Sequence, residues 1–195
     1  MQFIKAIAAV AIAVAAVNAS ATVITFDDIG IPGGVNPNST MTGFVTNGLR
    51  FSNNLAVVDV SATSDWASYG PAYSGNYSVV NDYFGDFVIT KEHGGTFNFG
   101  GTAVKSWDSV PPALAAGTLK AYAGGALLGS ISFVNSNQWQ FLNANFIGAD
   151  KVVISAGTAL IDNFTINPVP EPETYAMLLA GLGLMGAVAR RRNKR

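Results

Sequence analysis

Thr118 to Val134 read TLKAYAGGALLGSISFV, and the period of this stretch sets the fold class. Leu119, Ala121 and Ala123 fall on one side of an extended chain, Lys120 and Tyr122 on the other. That is the two-residue period of a half-buried strand. Gly124-Gly125 then separates two such runs, a hairpin signal because both turn residues must tolerate positive φ. The same alternation returns in Thr96-Phe97-Asn98-Phe99, whose phenylalanines share a face.

Outward from this hairpin, runs rich in β-branched and aromatic residues recur between clusters of Gly, Asn, Ser and Pro. Strands are expected at 22–26, 49–52, 55–60, 77–80, 87–90, 96–99 and 103–107, then at 118–123, 126–134, 138–142, 151–155 and 159–166. No helix is expected in this body: Ala113 to Ala116 is too short and follows Pro111-Pro112. So many short strands in one domain predict an all-β fold, an antiparallel β-sandwich of jelly-roll type over 22–166. The segments Gly30–Thr42 and Ala62–Gly75 are rich in Gly, Pro, Ser and Asn and read as loops at the ends of the sandwich, where such folds carry their sites.

The two chain ends read differently. Lys5 precedes an apolar run from Ile7 to Val17, and Ala19-Ser20-Ala21 has the small-x-small pattern of a signal-peptidase site. Residues 1–21 are therefore expected to be a signal peptide, with Thr22 the first residue after cleavage. At the other end three blocks follow in fixed order: Val169-Pro170-Glu171-Pro172, an apolar run from Ala176 to Ala189, and the basic residues Arg190, Arg191, Arg192, Lys194 and Arg195. The 14-residue run is about 21 Å long as a helix, short of the ~30 Å hydrocarbon core. Thr174 and Tyr175 extend it at one interface, giving an expected transmembrane helix over 174–189, and arginine stems snorkel at the other. The basic residues 190–195 hold this end in the cytoplasm. Pro170 and Pro172 keep the 167–173 linker extended, the form in which a processing enzyme grips a peptide.

This order resembles the PEP-CTERM sorting signal of Gram-negative bacteria. The resemblance implies recognition of Val169, Pro170, Glu171 and Pro172 by a membrane exosortase, after signal peptidase has acted at the other end. It further implies anchoring in the inner membrane before processing, then a place on the outer surface or in the extracellular matrix. Families with this tail are associated with exopolysaccharide and biofilm.

Between these segments Arg50, Lys91, Lys105, Lys120 and Lys151 face ten acidic residues, so the body carries a charge near −5. That balance disfavours nucleic acid as a partner, which calls for a basic patch. The chain has no cysteine, which excludes disulfide staples, thiolate metal sites and cysteine nucleophiles. The single histidine, His93, lies in Lys91-Glu92-His93-Gly94-Gly95, an expected exposed turn with no nucleophile motif beside it.

Two constellations carry chemistry. Phe26-Asp27-Asp28 opens the body and Ile161-Asp162-Asn163-Phe164 closes it. The body resembles galactose-binding and carbohydrate-binding sandwiches in having acidic residues at both chain ends. That resemblance implies a structural calcium held by Asp27, Asp28 and Asp162, since hard carboxylate oxygens suit that ion; the alternative is ordinary strand-end and turn residues. The second constellation is Trp66-Ala67-Ser68-Tyr69-Gly70-Pro71-Ala72-Tyr73. Trp66, Tyr69 and Tyr73 are candidates for sugar binding, because flat rings with polar tips suit wet recognition; the alternative is rings that pin a glycine-rich loop. The sequence thus predicts a non-enzymatic, exported surface or matrix protein that binds exopolysaccharide. A secreted polysaccharide-active hydrolase is the second reading.

Overall fold

A computed structural model describes residues 21–36, 42–81, 85–106, 116–167 and 181–183. Residues 1–20 of the expected signal peptide, the Val169–Pro172 motif, the basic residues 190–195, and Asp82, Tyr83, Phe84 and Trp107 all lie outside the described residues. Of the expected transmembrane segment only 181–183 is described, and it is helical. Among the described residues no helix is long and apolar enough to cross a membrane.

Among the described residues the body has thirteen strands: β1 (Thr22–Ile24), β2 (Val35–Asn36), β3 (Phe44–Thr46), β4 (Leu49–Phe51), β5 (Leu55–Asp59), β6 (Tyr77–Asn81), β7 (Phe87–Lys91), β8 (Phe97–Ser106), β9 (Ala116–Ala123), β10 (Ala126–Val134), β11 (Gln140–Ala149), β12 (Lys151–Ser155) and β13 (Ala159–Asn167). They make two antiparallel sheets packed face to face. One sheet runs β11-β8-β13-β6-β5-β2, with β1 also paired to β13; the other runs β10-β9-β12-β7-β4-β3. The expected all-β sandwich is therefore the observed one. The hairpin at Gly124-Gly125 joins β9 to β10 as the alternation requires, pairing Ala126 with Ala123.

The core lies between the sheets, where alternate residues converge. Leu119 and Ala121 of β9, Val152 and Ile154 of β12 and Phe87 and Ile89 of β7 are fully buried. At one end the core is aromatic. Phe51 meets Phe26 edge-on at 5.4 Å, stacks on Phe44 at 4.6 Å and meets Phe164 at 5.7 Å, while Phe164 leans on Phe99 at 4.6 Å. Edge-to-face pairs of this kind add about 0.5–1.5 kcal/mol beyond burial.

Four elements depart from the sequence reading. The runs 96–99 and 103–107 are one strand, β8, because Gly100-Gly101 continues the chain rather than breaking it. Gly101 has φ 149°, and a Cβ there would lie 2.3 Å from the Leu142 carbonyl oxygen, so the close approach of β11 requires glycine. β11 runs on to Ala149, past the expected end at 142, because register shifts at Asn143/Phe146 and Phe146/Ala149 break its alternation without ending the pairing. β2 and β3 fall where no strand is expected, in segments too short to show a period. Between β5 and β6 the expected loop is present, with one short 3-10 helix at Ala67–Tyr69.

Phe51→Ala is expected to lower stability by about 3–5 kcal/mol, because it opens the aromatic cluster on three sides. Ile147→Ser, at a position 77% exposed, is expected to change it by less than about 0.5 kcal/mol. Thermal melting of the two variants measures both effects.

Candidate functional site

The pairing of β1 with β13 sets Thr22 opposite Ile166 and Ile24 opposite Phe164. The two acidic segments at the ends of the body are thereby brought together. Phe26 and Asn163 both take positive φ, 65° and 50°, a conformation that costs a non-glycine residue about 1–3 kcal/mol. In return Phe26 buries its ring in the core while Asp27, next to it, turns toward the loop before β6.

Both carboxylates clamp that loop. Asp162 Oδ2 accepts the Ser74 N–H at 2.9 Å and its Oδ1 accepts the Asn163 N–H at 2.6 Å. Asp27 Oδ1 accepts the Asn76 N–H at 2.9 Å. The Ser74 hydroxyl also bonds the Asn163 side-chain oxygen. A Cβ on Gly75 would lie 2.1 Å from Asp27 Oδ2, so only glycine lets the carboxylate come this close. At the base of the loop the Val60 N–H donates to the Asn76 carbonyl at 2.9 Å.

Asp162 is fully buried, and its pKa is pushed up to about 7. Burial is the main cause, the Ser74 and Asn163 N–H groups oppose it, and the negative charge of Asp27 adds to it. Asp27 and Asp28, by contrast, are exposed. Among the described residues no three His, Asp or Glu side chains gather closely enough to hold a metal ion. Asp27 Oδ1 and both oxygens of Asp162 accept backbone N–H groups, which makes a hydrogen-bonded clamp on the loop.

The clamped loop lies on the outer face of the seven-stranded sheet. There Ala56, Val58, Val60, Val80 and Leu160 form a second apolar cluster, roofed by partly buried Trp66, Tyr69, Ala72 and Trp139. Trp66 and Tyr69 thus rest against the sheet, with ring centroids 5.8 Å apart. Lys105, only 4% exposed, reaches up from β8, donates to the Tyr69 carbonyl and sits 5.2 Å from the centre of the Trp139 ring. Burial lowers its pKa. The Trp139 indole N–H donates to the Pro71 carbonyl at 2.9 Å and ties β11's leading end to the loop.

Of the three expected sugar-binding rings only Tyr73 is exposed, at 44%. It stands edge-on to Trp139 at 5.9 Å and tilted against Phe141 at 6.2 Å. Trp139 and Phe141 lie 66 and 68 positions further along the chain, so nothing in the local sequence links them to Tyr73. Beside the loop lies a cleft of about 190 Å³, lined by Val60, Ala67, Pro71, Ala72 and Asn76 among others. His93 is exposed in its turn, 3.6 Å from Glu92, far in sequence from all of these groups.

Residues 168–192 match the family model described as the PEP-CTERM protein-sorting motif. No curated protein matches the chain. Among solved structures the fold is similar to TmCBM61 in complex with beta-1,4-galactotriose, with 15% identity over 63% of this chain and 90% of that one and a TM-score of 0.37. It is also similar to a family 29 carbohydrate-binding module, with 14% identity over 79% and 99% of the two chains and a TM-score of 0.36. An arabinose-bound α-L-arabinofuranosidase, MgGH51, matches with 16% identity over 66% of this chain and 25% of the enzyme, with a TM-score of 0.39.

The Asp162 carboxyl fixes how stability responds to pH. Its folded pKa of about 7 lies above the ~3.9 of an unfolded chain, so between these values the folded state keeps a proton that the unfolded state has lost. Stability is then expected to fall as pH rises from about 4 to 7, at up to ~1.4 kcal/mol per unit, and to level off above. Melting temperatures at pH 5 and pH 8 test this, and Asp162→Asn should flatten the difference. Repeating the series with calcium separates the clamp from the ion, since a cation between Asp27 and Asp162 would favour the ionised form and raise stability at pH 8.

Proposed function

We propose that this chain is a non-enzymatic surface or matrix protein that is exported, held briefly in the inner membrane by its PEP-CTERM tail, released by an exosortase, and bound to exopolysaccharide through Tyr73, Trp139 and Phe141. The observation that carries the binding part is the exposed Tyr73 ring, held by two clamped neighbours on a sheet face and flanked by partly buried Trp139 and Phe141. Rings fixed before the ligand arrives lose little entropy on binding, and their polar tips tolerate a wet interface. Sugar C–H faces suit such rings.

The hydrolase reading lacks a comparable observation. A glycosidase needs two carboxyl groups facing the scissile bond. Asp162, the carboxyl with a pKa suited to an acid, has no exposed surface and is bound to the loop it supports.

Tyr73→Ala is expected to weaken retention on a neutral polysaccharide by about tenfold, ~1.4 kcal/mol, with an unchanged melting temperature. Affinity electrophoresis through galactan, xylan and mannan gels measures it; a Tyr73→Ala protein that migrates like the wild type in all three contradicts the proposal. For the tail, scrambling Pro170-Glu171-Pro172 is expected to leave the full-length protein in the inner membrane. Normal processing of that variant, read by intact mass, would sink the sorting part.

A further inference from the structure

The two sides of the sandwich are finished differently. On one side the sheets end in β2 and β3, strands of two and three residues. On the other they end in β10 and β11, of nine and ten residues. Exposed strand edges are templates for pairing, and they are usually blunted by charge, proline or shortness. Neither β10 nor β11 contains a charged residue or a proline. Their side of the molecule exposes Leu127 at 55%, Leu128 at 44%, Val134 at 53% and Ile147 at 77%. Register shifts blunt both edges in part: one between Leu127 and Gly129 lies at the start of β10 and leaves Gly129 to Val134 in regular pairing with β9, and two lie in β11, at Asn143/Phe146 and Phe146/Ala149.

We propose that β10 pairs with β10 of a second copy of this chain, antiparallel and centred on Ile131. The sequence of the strand is self-complementary about that residue. With Ile131 opposite Ile131, Ser130 meets Ser132 and Gly129 meets Phe133, each contact occurring twice, and Val134 falls beside the bulge residue Leu128. Burial along β10 alternates to match: Leu128, Ser130, Ser132 and Val134 are exposed, whereas Ile131 and Phe133 turn toward the core. The outward row thus joins serine to serine and aliphatic to aliphatic, and Ile131 extends the core across the junction. No like charges face each other, a juxtaposition that would oppose any such pairing in a charged strand.

With Ile131 opposite Ile131 the paired segment runs from Leu128 to Val134, seven residues or about 24 Å at ~3.4 Å each, which places the contact at the small end of specific interfaces. The two six-stranded sheets become one of twelve strands, with the outward backbone groups of the two paired segments bonding one another. The proposal does not rest on sugar binding, because Tyr73 lies on the outer face of the other sheet.

Sedimentation of the full chain in detergent tests it. The wild type is expected at twice the chain mass, and Ser130→Lys/Ser132→Lys at the chain mass with an unchanged melting temperature, since both serines are exposed and four lysines would then face one another. The register is tested separately, using the absence of cysteine from the natural chain. Directly opposed Cα atoms in an antiparallel pair, ~4.5–5.5 Å apart, lie within disulfide reach. Ile131→Cys is therefore expected to cross-link with itself on mild oxidation, and Leu128→Cys is not. A monomeric wild type, a lysine variant that stays dimeric, or cross-linking by Leu128→Cys in place of Ile131→Cys would each overturn the proposal.

Discussion

One buried carboxylate and one exposed carboxylate hold the outer face of the seven-stranded sheet in place. Asp27 and Asp162 come from opposite ends of the body, and they meet only because β1 pairs with β13. Each accepts a backbone N–H from the segment Ser74–Asn76, so the loop before β6 is fastened at the strand crossing where the chain begins and ends. The energetic balance is narrow. Two carboxylates this close repel, burial disfavours the ionised form of Asp162, and the amide bonds they accept offset part of the cost. The proton that Asp162 keeps near neutral pH relieves the repulsion.

Everything on the outer face follows from that fastening. With Ser74 and Asn76 fixed, the loop can lie only across the second apolar cluster, where Trp66 and Tyr69 shield Val58, Val80 and Leu160. Lys105 and Trp139 then fix its other side, the first through the Tyr69 carbonyl and the second through the Pro71 carbonyl. Tyr73 is left between these anchor points, with nowhere to go but outward. Its exposure is a consequence of the bonds around it rather than of loop freedom. A ring held this way is fixed before any ligand arrives, which is the property that the proposed binding of a stiff, hydrated polymer demands.

Much of this was legible in the sequence, and what was hidden was hidden for physical reasons. The period of Leu119–Ala123 and the Gly124-Gly125 turn predicted β9, β10 and their pairing, and 126–134 and 151–155 match the strands residue for residue. The meeting of Asp27 with Asp162 was foreseeable from terminal strands that lie side by side. Where alternation was interrupted, the reading faltered. Glycines that permit a close approach looked like a break in β8, and the bulges in β11 disguised half of its length. Trp139 and Phe141 could not be joined to Tyr73, since a contact across nearly seventy residues leaves no local trace. Of the aromatic run, Trp66 and Tyr69 have the same composition as Tyr73, and only burial tells support from surface.

The central claim is that the clamped aromatic face binds neutral glycan in the shape it already has. It is tested most directly by NMR on the body while galactan, xylan and mannan oligosaccharides are added in turn. The account predicts that one of them shifts the Tyr73 ring resonances and the Trp139 indole N–H, leaves Trp66 unmoved, and preserves the slow exchange of the Ser74 and Asn76 amides. Shifts confined to another surface, or a Tyr73 that titrates with none of them, would contradict it.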